Sequence, residues 1–164
     1  MGMLVNTTMA ELSDLTFRTA FIVYIVALIL AFIYYGRVNS VIEARREALA
    51  EQKVLVGAGG PEVVEKQKSD EDMIANARKW AGMTQALVWV GVALHLVAFV
   101  TRGLAANRFP LGNLYEYILF MTAVIMVVAA VVVQRKNWHT VWPWLLFPMV
   151  IAMFLNSTVF HMQA

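Results

Sequence analysis

The sequence predicts an all-α integral membrane protein with four transmembrane helices, and two observations support this prediction. At 60% hydrophobic and 15% charged residues, the chain of 164 residues is too apolar for an ordinary soluble domain. It also contains four separate apolar segments, each close to the roughly 20 residues that a helix needs to cross a hydrocarbon core. We therefore expect a multi-pass protein of the cell membrane, with the lipid bilayer as its solvent.

The four apolar segments are free of Lys and Arg, and only the third contains an acidic residue, Glu116, at its start. They cover residues 19–35, 84–100, 115–133 and 141–160. The first segment has no basic region before it and no small-residue cleavage site after it, as a secretory signal would. We expect it to be retained as a membrane anchor.

The distribution of basic residues predicts the orientation, because Lys and Arg near the ends of spans stay on the cytoplasmic side during insertion. Ten of the 13 Lys and Arg residues lie between positions 36 and 83 or in the turn after the third segment. The remaining three are Arg18, Arg102 and Arg108. The N and C termini are therefore predicted to lie outside, together with the loop between the second and third segments.

These features divide the chain into three regions: residues 1–35, with the outer N-terminus and the first span, residues 36–83, and residues 84–164, with the other spans. The middle region is predicted to be a long cytoplasmic connection. A helix should continue from the first span, break at the Gly/Pro run GAGGPE, and restart with Ser69 or Asp70 as its N-cap. We interpret the connection as a hinge or a docking surface, without catalytic residues.

The stretch RFPLGNLYEY, residues 108–117, places several polar residues between two apolar segments. Pro110 disfavours helix at the residue before it, and Gly112 permits a turn. Asn113, followed by Glu116 three residues later, is typical of an N-cap and its capping-box partner. The stretch therefore predicts the start of the third helix.

A second interpretation of the same stretch is that it lines an external polar cavity. A cap needs only one or two polar residues, whereas Arg108, Asn113, Tyr115 and Glu116 stand close together. Tyr115 is also compatible with a place in the aromatic belt at the membrane surface. The residues alone leave the cap and the cavity equally open.

Two histidines are candidate cofactor ligands. His95 lies near the middle of the second segment, where ionisable residues are costly and often functional, and neutral imidazole is a common axial ligand of haem iron. His95 could equally be a packed residue hydrogen-bonded to a neighbouring helix. His161, at the end of the fourth segment, is the second candidate. We assign no catalytic residue and no metal ion outside haem.

The stretch NWHTVWPWLLFP concentrates tryptophans at one end of the fourth segment. Trp138, Trp142 and Trp144 are predicted to form an aromatic belt at the inner boundary. Pro143 suits the first turn of a helix, and Pro148 should disturb the helix further along. The absence of cysteine excludes disulfides and thiolate chemistry, and a net charge of +2 gives no indication of nucleic-acid binding.

From about residue 13 onwards, the chain resembles the N-terminal half of the integral-membrane cytochrome c biogenesis proteins of the CcsA/ResC type, also called CcsB. The resemblance is carried by WAGMTQALVWVGVALHLVAFVTRGLAANRFPLGNLYEY and by WHTVWPWLLFPM, and its most specific part is FPLGNLYE. It implies a multi-span protein that presents haem on the outer face of the membrane for attachment to apocytochrome c. It also implies other membrane subunits of a synthase as partners.

The sequence departs from this family in one respect. The tryptophan-rich external segment WGxxWxWDxxE, through which the family handles haem, has no counterpart here. The resemblance therefore implies either a fragment or a short relative, with haem as a possible cofactor. Two other hypotheses stay open: a non-enzymatic small subunit or assembly factor of a respiratory membrane complex, and a quinone- or lipid-binding module with His95 as a polar contact.

Overall fold

The computed structural model describes residues 7–54 and 61–160, with side chains over 7–51 and 71–159. Four α-helices account for most of this part, and no strand occurs in it. They are α1 (Thr7–Val54), α2 (Pro61–Ala106), α3 (Leu114–Lys136) and α4 (Trp142–Leu155). A 3₁₀ turn, His139–Val141, precedes α4, and a π-helical turn, Asn156–Phe160, follows it.

Each helix contributes one stretch long and apolar enough to cross a membrane. The stretches are Thr7–Glu51, Glu71–Ala106, Leu114–Lys136 and His139–Val159, the last of which includes the flanking turns. Large apolar side chains on all four helices face away from the bundle, as they do in a membrane protein whose outer surface meets lipid. The predicted all-α fold with four spans is confirmed.

Helices α1 and α2 form a long antiparallel hairpin. They contain 48 and 46 residues, and at a rise of 1.5 Å per residue each is about 70 Å long, more than twice a hydrocarbon core of roughly 30 Å. Ser13 contacts Ala98 near one end, and the Arg37 guanidinium lies over the Trp80 ring towards the other. The hairpin therefore extends well beyond the bilayer on one side.

The predicted continuation of the first span into a longer helix is confirmed, but the predicted start of the second helix is wrong. Helix α2 begins at Pro61, so Ser69 and Asp70 lie inside the helix and not at its start. Proline suits this first position because its fixed φ is helical and the amide hydrogen it lacks would have no partner there. Residues 57–60, where the break was expected, lie outside the described residues.

Small residues allow α1 and α2 to pack closely. On α1 the buried residues recur at alternating intervals of three and four, the spacing of a coiled-coil seam. They are Phe17, Ala20, Tyr24, Ala27 and Ala31. On α2 small residues recur at every seventh position, namely Ala77, Thr84, Gly91, Ala98 and Ala105. With small residues at these positions of α2, the two helices pack closely, as membrane helices commonly do.

Gly91 has a particular partner in this seam, because the Tyr24 ring lies against its backbone. A Cβ atom added to Gly91 would stand 2.6 Å from Tyr24 Cε1. The glycine therefore makes the space that the tyrosine ring fills. His95 follows one helical turn later on the same face of α2, so this contact also sets the distance between Tyr24 and His95.

A buried glutamine joins α2 to both of the shorter helices. Gln85 Nε2 donates to the Ala130 carbonyl of α3 at 3.1 Å, and Trp142 Nε1 of α4 donates to Gln85 Oε1 at 3.1 Å. Trp142 is thus fully buried, and its predicted place in an aromatic belt is wrong. Trp138 and Trp144 are exposed, as a belt requires.

Candidate functional site

The loop between α2 and α3, residues 107–113, closes one end of the bundle, which we call the loop end. Helix α2 stops where Asn107 takes a left-handed φ of 49° and its N–H donates to the Leu104 carbonyl. Pro110 then packs back onto the last turn of α2, where a Cβ on Gly103 would stand 3.1 Å from Pro110 Cδ. The loop is folded over the helix end rather than extended away from it.

Asn113 is the N-cap of α3, as its position predicts. Its Oδ1 accepts a hydrogen bond from the Glu116 N–H at 2.9 Å, and its φ of −143° is extended. The second hydrogen bond expected of a capping box, which would join the Asn113 N–H to the Glu116 carboxylate, is replaced by a different one. The Glu116 carboxylate accepts the N–H of Gly112 at 2.8 Å, one residue earlier than the box requires.

The Glu116 carboxylate is the centre of the site, because it is buried and charged and has several donors around it. Only 1% of the side chain is exposed. Arg108 Nη1 lies 3.1 Å from Oε2, and Arg102 Nε lies 3.4 Å from Oε1. Charge-assisted hydrogen bonds of this kind offset the cost of removing a carboxylate from water. We call Glu116, Arg102, Arg108, Gly112 and Asn113 the Glu116 cluster.

Sequence reasoning missed two members of this cluster. Arg102 precedes the quoted stretch, and its guanidinium also lies 5.2 Å from the centre of the Tyr115 ring, within the range of a cation–π contact. Gly112 is needed for space rather than for a left-handed turn, since a Cβ there would overlap the Arg108 guanidinium. The signal for Arg102 was present: it and Arg108 are the only Lys or Arg residues between Lys79 and Glu116.

Tyr115 lies between the Glu116 cluster and a small crevice. The crevice is lined by Asp14, Phe17, Arg18, Tyr115 and Ser157. Its free volume is about that of one water molecule. On the other side, the backbone oxygen of Tyr115 accepts a hydrogen bond from Asn156 Nδ2 at 3.4 Å.

The structure therefore brings the predicted cavity residues together, but not around an open space. Arg108, Asn113 and Glu116 bond to one another, and Pro110 packs behind them. Tyr115 is the one predicted residue that lines the crevice. At the loop end these residues stabilise the turn and do not line an open cavity.

His95 is surrounded by side chains on several sides. It is completely buried, and its Nε2 lies 3.3 Å from Thr122 Oγ1. The rings of Phe17 and Tyr24 meet it edge-on at centroid distances of 5.8 and 6.1 Å. A haem ligand needs one free ring nitrogen facing a space as wide as a porphyrin, and these residues leave no such space. The surroundings of His95 therefore do not fit a haem ligand.

His161 lies outside the described residues, so its assignment as a ligand stays a prediction. Within the described part, the loop end offers a buried ion pair and a crevice of the size of one water molecule, both held by the ends of α1, α2, α3 and the π-helical turn. Such an arrangement can fix the shape of a surface and present it to a partner. In comparisons with protein-family models, curated proteins and solved structures, the chain has no match.

Proposed function

We propose that this chain is the N-terminal part of a cytochrome c biogenesis system of the CcsA/ResC type, where it builds the membrane scaffold around the site of haem attachment. The observation that supports this proposal is the role of FPLGNLYE. This stretch is the most specific part of the resemblance, and its Gly112, Asn113 and Glu116 hold the loop against two arginines. Burying a carboxylate such as Glu116 is a costly way to shape a loop, so the shape itself has a function in this proposal.

The proposal includes an orientation and a set of partners. The loop end faces the outside of the cell membrane, where apocytochrome c is matured, and the long hairpin of α1 and α2 extends into the cytoplasm. Lipid-facing apolar side chains on every helix give other membrane subunits of the synthase a surface on which to pack. The charge distribution supports this orientation, with ten basic residues at the hairpin side and three at the loop end.

The role proposed for the chain is structural rather than ligand-binding at His95. The close packing of Phe17 and Tyr24 against His95 supports this role, and so does the lack of a WGxxWxWDxxE segment in this sequence. In the proposed system, haem is handled by segments outside the described residues or by partner subunits.

A second candidate function is a non-enzymatic small subunit or assembly factor of a respiratory membrane complex. The hydrogen bonding at Glu116 favours this function, because the carboxylate already accepts hydrogen bonds from Arg102, Arg108 and Gly112. A subunit that only stabilises a complex needs a rigid fold and lipid-facing surfaces, and the structure has both.

Deletion of the gene distinguishes the two functions. If the chain belongs to a cytochrome c synthase system, every c-type cytochrome should lose covalently bound haem, while b-type cytochromes keep their spectra. Haem staining of denatured membrane proteins measures the first, and reduced-minus-oxidised spectra measure the second. Loss of a single respiratory complex, with covalent haem retained elsewhere, would contradict the biogenesis proposal and support the alternative.

The orientation can be tested separately, because the chain has no cysteine of its own. Single cysteines placed at Ser69, Asn107 and Gln163 are treated in intact cells with a membrane-impermeant thiol reagent. We expect positions 107 and 163 to react and position 69 to react only after lysis. The reverse pattern would overturn the orientation without affecting the fold.

A further inference from the structure

Two polar atoms near the middle of the spans are buried without a hydrogen-bond partner among the described residues. They are Tyr24 Oη on α1 and His95 Nδ1 on α2. The two side chains are 1% and 0% exposed, and their ring centroids lie 6.1 Å apart. No bulk water reaches such a depth, so an unpaired polar group there is costly. Two of them side by side indicate a shared partner.

The hydrogen bonds of Thr122 indicate which ring nitrogen of His95 carries the hydrogen. The Thr122 hydroxyl has a single hydrogen, and the carbonyls of Ile118 and Leu119 lie 2.8 and 3.1 Å from its oxygen. With that hydrogen on the nearer carbonyl, the oxygen accepts from His95 Nε2, 3.3 Å away. Since a neutral imidazole has one N–H, His95 Nδ1 is left as an acceptor. The hydroxyl of Tyr24, whose ring centroid lies 6.1 Å from that of His95, can both donate and accept.

Packing holds this pair in place and separates it from the loop end. Gly91 admits the Tyr24 ring, and the Phe17 ring covers His95 at 5.8 Å. Phe17 also meets the Tyr115 ring at 6.2 Å and lines the crevice at the loop end. One phenylalanine therefore stands between that crevice and the pair.

We propose that Tyr24 and His95 bind one water molecule inside the bundle, which enters from the crevice past Phe17. The water donates one hydrogen to His95 Nδ1 and accepts the hydrogen of Tyr24 Oη. Buried waters typically make about three hydrogen bonds to groups that would otherwise be unsatisfied, and this pair supplies two. The inference is independent of cytochrome maturation, because it rests on the bundle interior alone.

The first test asks whether Tyr24→Phe raises or lowers the melting temperature. If Tyr24 Oη had no partner, Tyr24→Phe would remove an unpaired polar group and raise the melting temperature. If Oη holds a water, the same substitution removes one of its hydrogen bonds, and the melting temperature falls. The full chain is compared in lipid nanodiscs with Tyr117→Phe, a half-exposed tyrosine that should show little change. A rise for Tyr24→Phe would overturn the proposal.

Coupling between the two residues gives the second test. In the presence of His95→Phe, the effect of Tyr24→Phe on melting temperature should shrink, because the shared water has already lost its other partner. Equal effects in both backgrounds would show that the two groups have no common ligand. A cycle of this kind requires only that each variant fold, and both changes keep an aromatic ring.

A direct Tyr24–His95 hydrogen bond would give the same two results, so the water itself must be observed. The full chain with ¹⁵N-labelled histidine is studied in bilayers by solid-state NMR with water-selective polarisation transfer. We expect transfer to His95 Nδ1 in the parent and in Tyr117→Phe, and a clearly weaker signal in Tyr24→Phe. No transfer in the parent would exclude the water and leave a direct contact as the explanation.

Discussion

The Glu116 cluster and the Tyr24–His95 pair are both buried polar groups between helices, yet they are satisfied in different ways. Glu116 has protein donors on both carboxylate oxygens, and within the described residues these donors are Arg102, Arg108 and Gly112. Tyr24 and His95 come from two long helices, and each has one atom without a hydrogen-bond partner in the part of the chain that the structure describes. The hydrogen bonds of the charged group come from residues close to it in the sequence, whereas the neutral pair has polar atoms whose hydrogen bonds are not satisfied by the described residues.

The difference follows from what each group costs when it is unpaired. A buried carboxylate without a partner costs several kcal/mol, whereas a buried hydroxyl or imidazole nitrogen costs about 1 to 3 kcal/mol. A short loop can supply fixed donors to Glu116, because Gly112 and Arg108 are next to it in the sequence. In the rigid seam of two helices, side chains cannot adjust in this way, and a water molecule can complete the hydrogen bonds of a neutral pair.

The largest expected effect comes from removing the charge at the loop end. Glu116→Ala should lower the free energy of unfolding by about 3 kcal/mol, because it removes the carboxylate partner of Arg102, whose side chain is 14% exposed, and frees the Gly112 N–H. Unfolding of the purified chain by SDS in mixed micelles, followed by circular dichroism, measures this. Glu47→Ala, at an exposed position on α1, is the matched control. A similar small effect for both would mean that the cluster does not stabilise the fold.

The next effect concerns the seam that positions Tyr24. Gly91→Ala should cost about 2 kcal/mol, because the new methyl group would overlap the Tyr24 ring in a packed interior. Gly82→Ala, also inside α2, adds its methyl group where no atom lies within 4 Å. By helix propensity it should stabilise the chain by up to about 1 kcal/mol. Opposite signs for the two variants in the same SDS titration would confirm the seam, and equal signs would contradict it.

The sequence predicted local features of the loop end well, because they depend on neighbours in the chain. The Asn113 cap follows from residue types at fixed spacing. The partners of Glu116 were harder to predict, since its side chain turns to Gly112 and Arg102 once the loop folds back over Gly103. That fold depends on packing against Pro110, which a pattern of residue types does not specify.

The contacts between helices in the interior were harder to predict from the sequence than the local features of the loop end. Four spans follow from hydropathy, and the row of small residues on α2 at every seventh position could have predicted the close packing with α1. The pairing of Tyr24 with His95 could not be read in this way, because it depends on which face of each helix meets the other and at what height. For the same reason Trp142, which resembles a belt residue by position, is buried against Gln85.

A smaller effect tests the cap at the loop end. Asn113→Ala should cost about 1 kcal/mol, the usual effect of losing an N-cap. Asn113→Asp should retain most of the stability, because its carboxylate can also accept the Glu116 N–H. In cells, Asn113→Asp should support normal c-type cytochrome maturation if Asn113 only caps. A severe maturation defect at normal membrane levels would instead assign the amide group a role outside the helix start.

The smallest effect concerns the side-chain hydroxyl that lies against His95 Nε2. Thr122→Val keeps the shape of the side chain but removes the acceptor of His95 Nε2. Hydrogen bonds between membrane helices are worth about 0.6 kcal/mol on average, because the alternative states also find partners.

Thr101→Val is the matched control, since the Thr101 hydroxyl bonds to the carbonyls of Val97 and Ala98 in its own helix. Thr122→Val should therefore cost more than Thr101→Val in SDS unfolding, and it should shift the ¹⁵N resonance of His95 Nε2 while Thr101→Val leaves it in place. If neither difference is found, Thr122 does not fix the tautomer of His95, and the assignment of Nδ1 as an acceptor loses its basis.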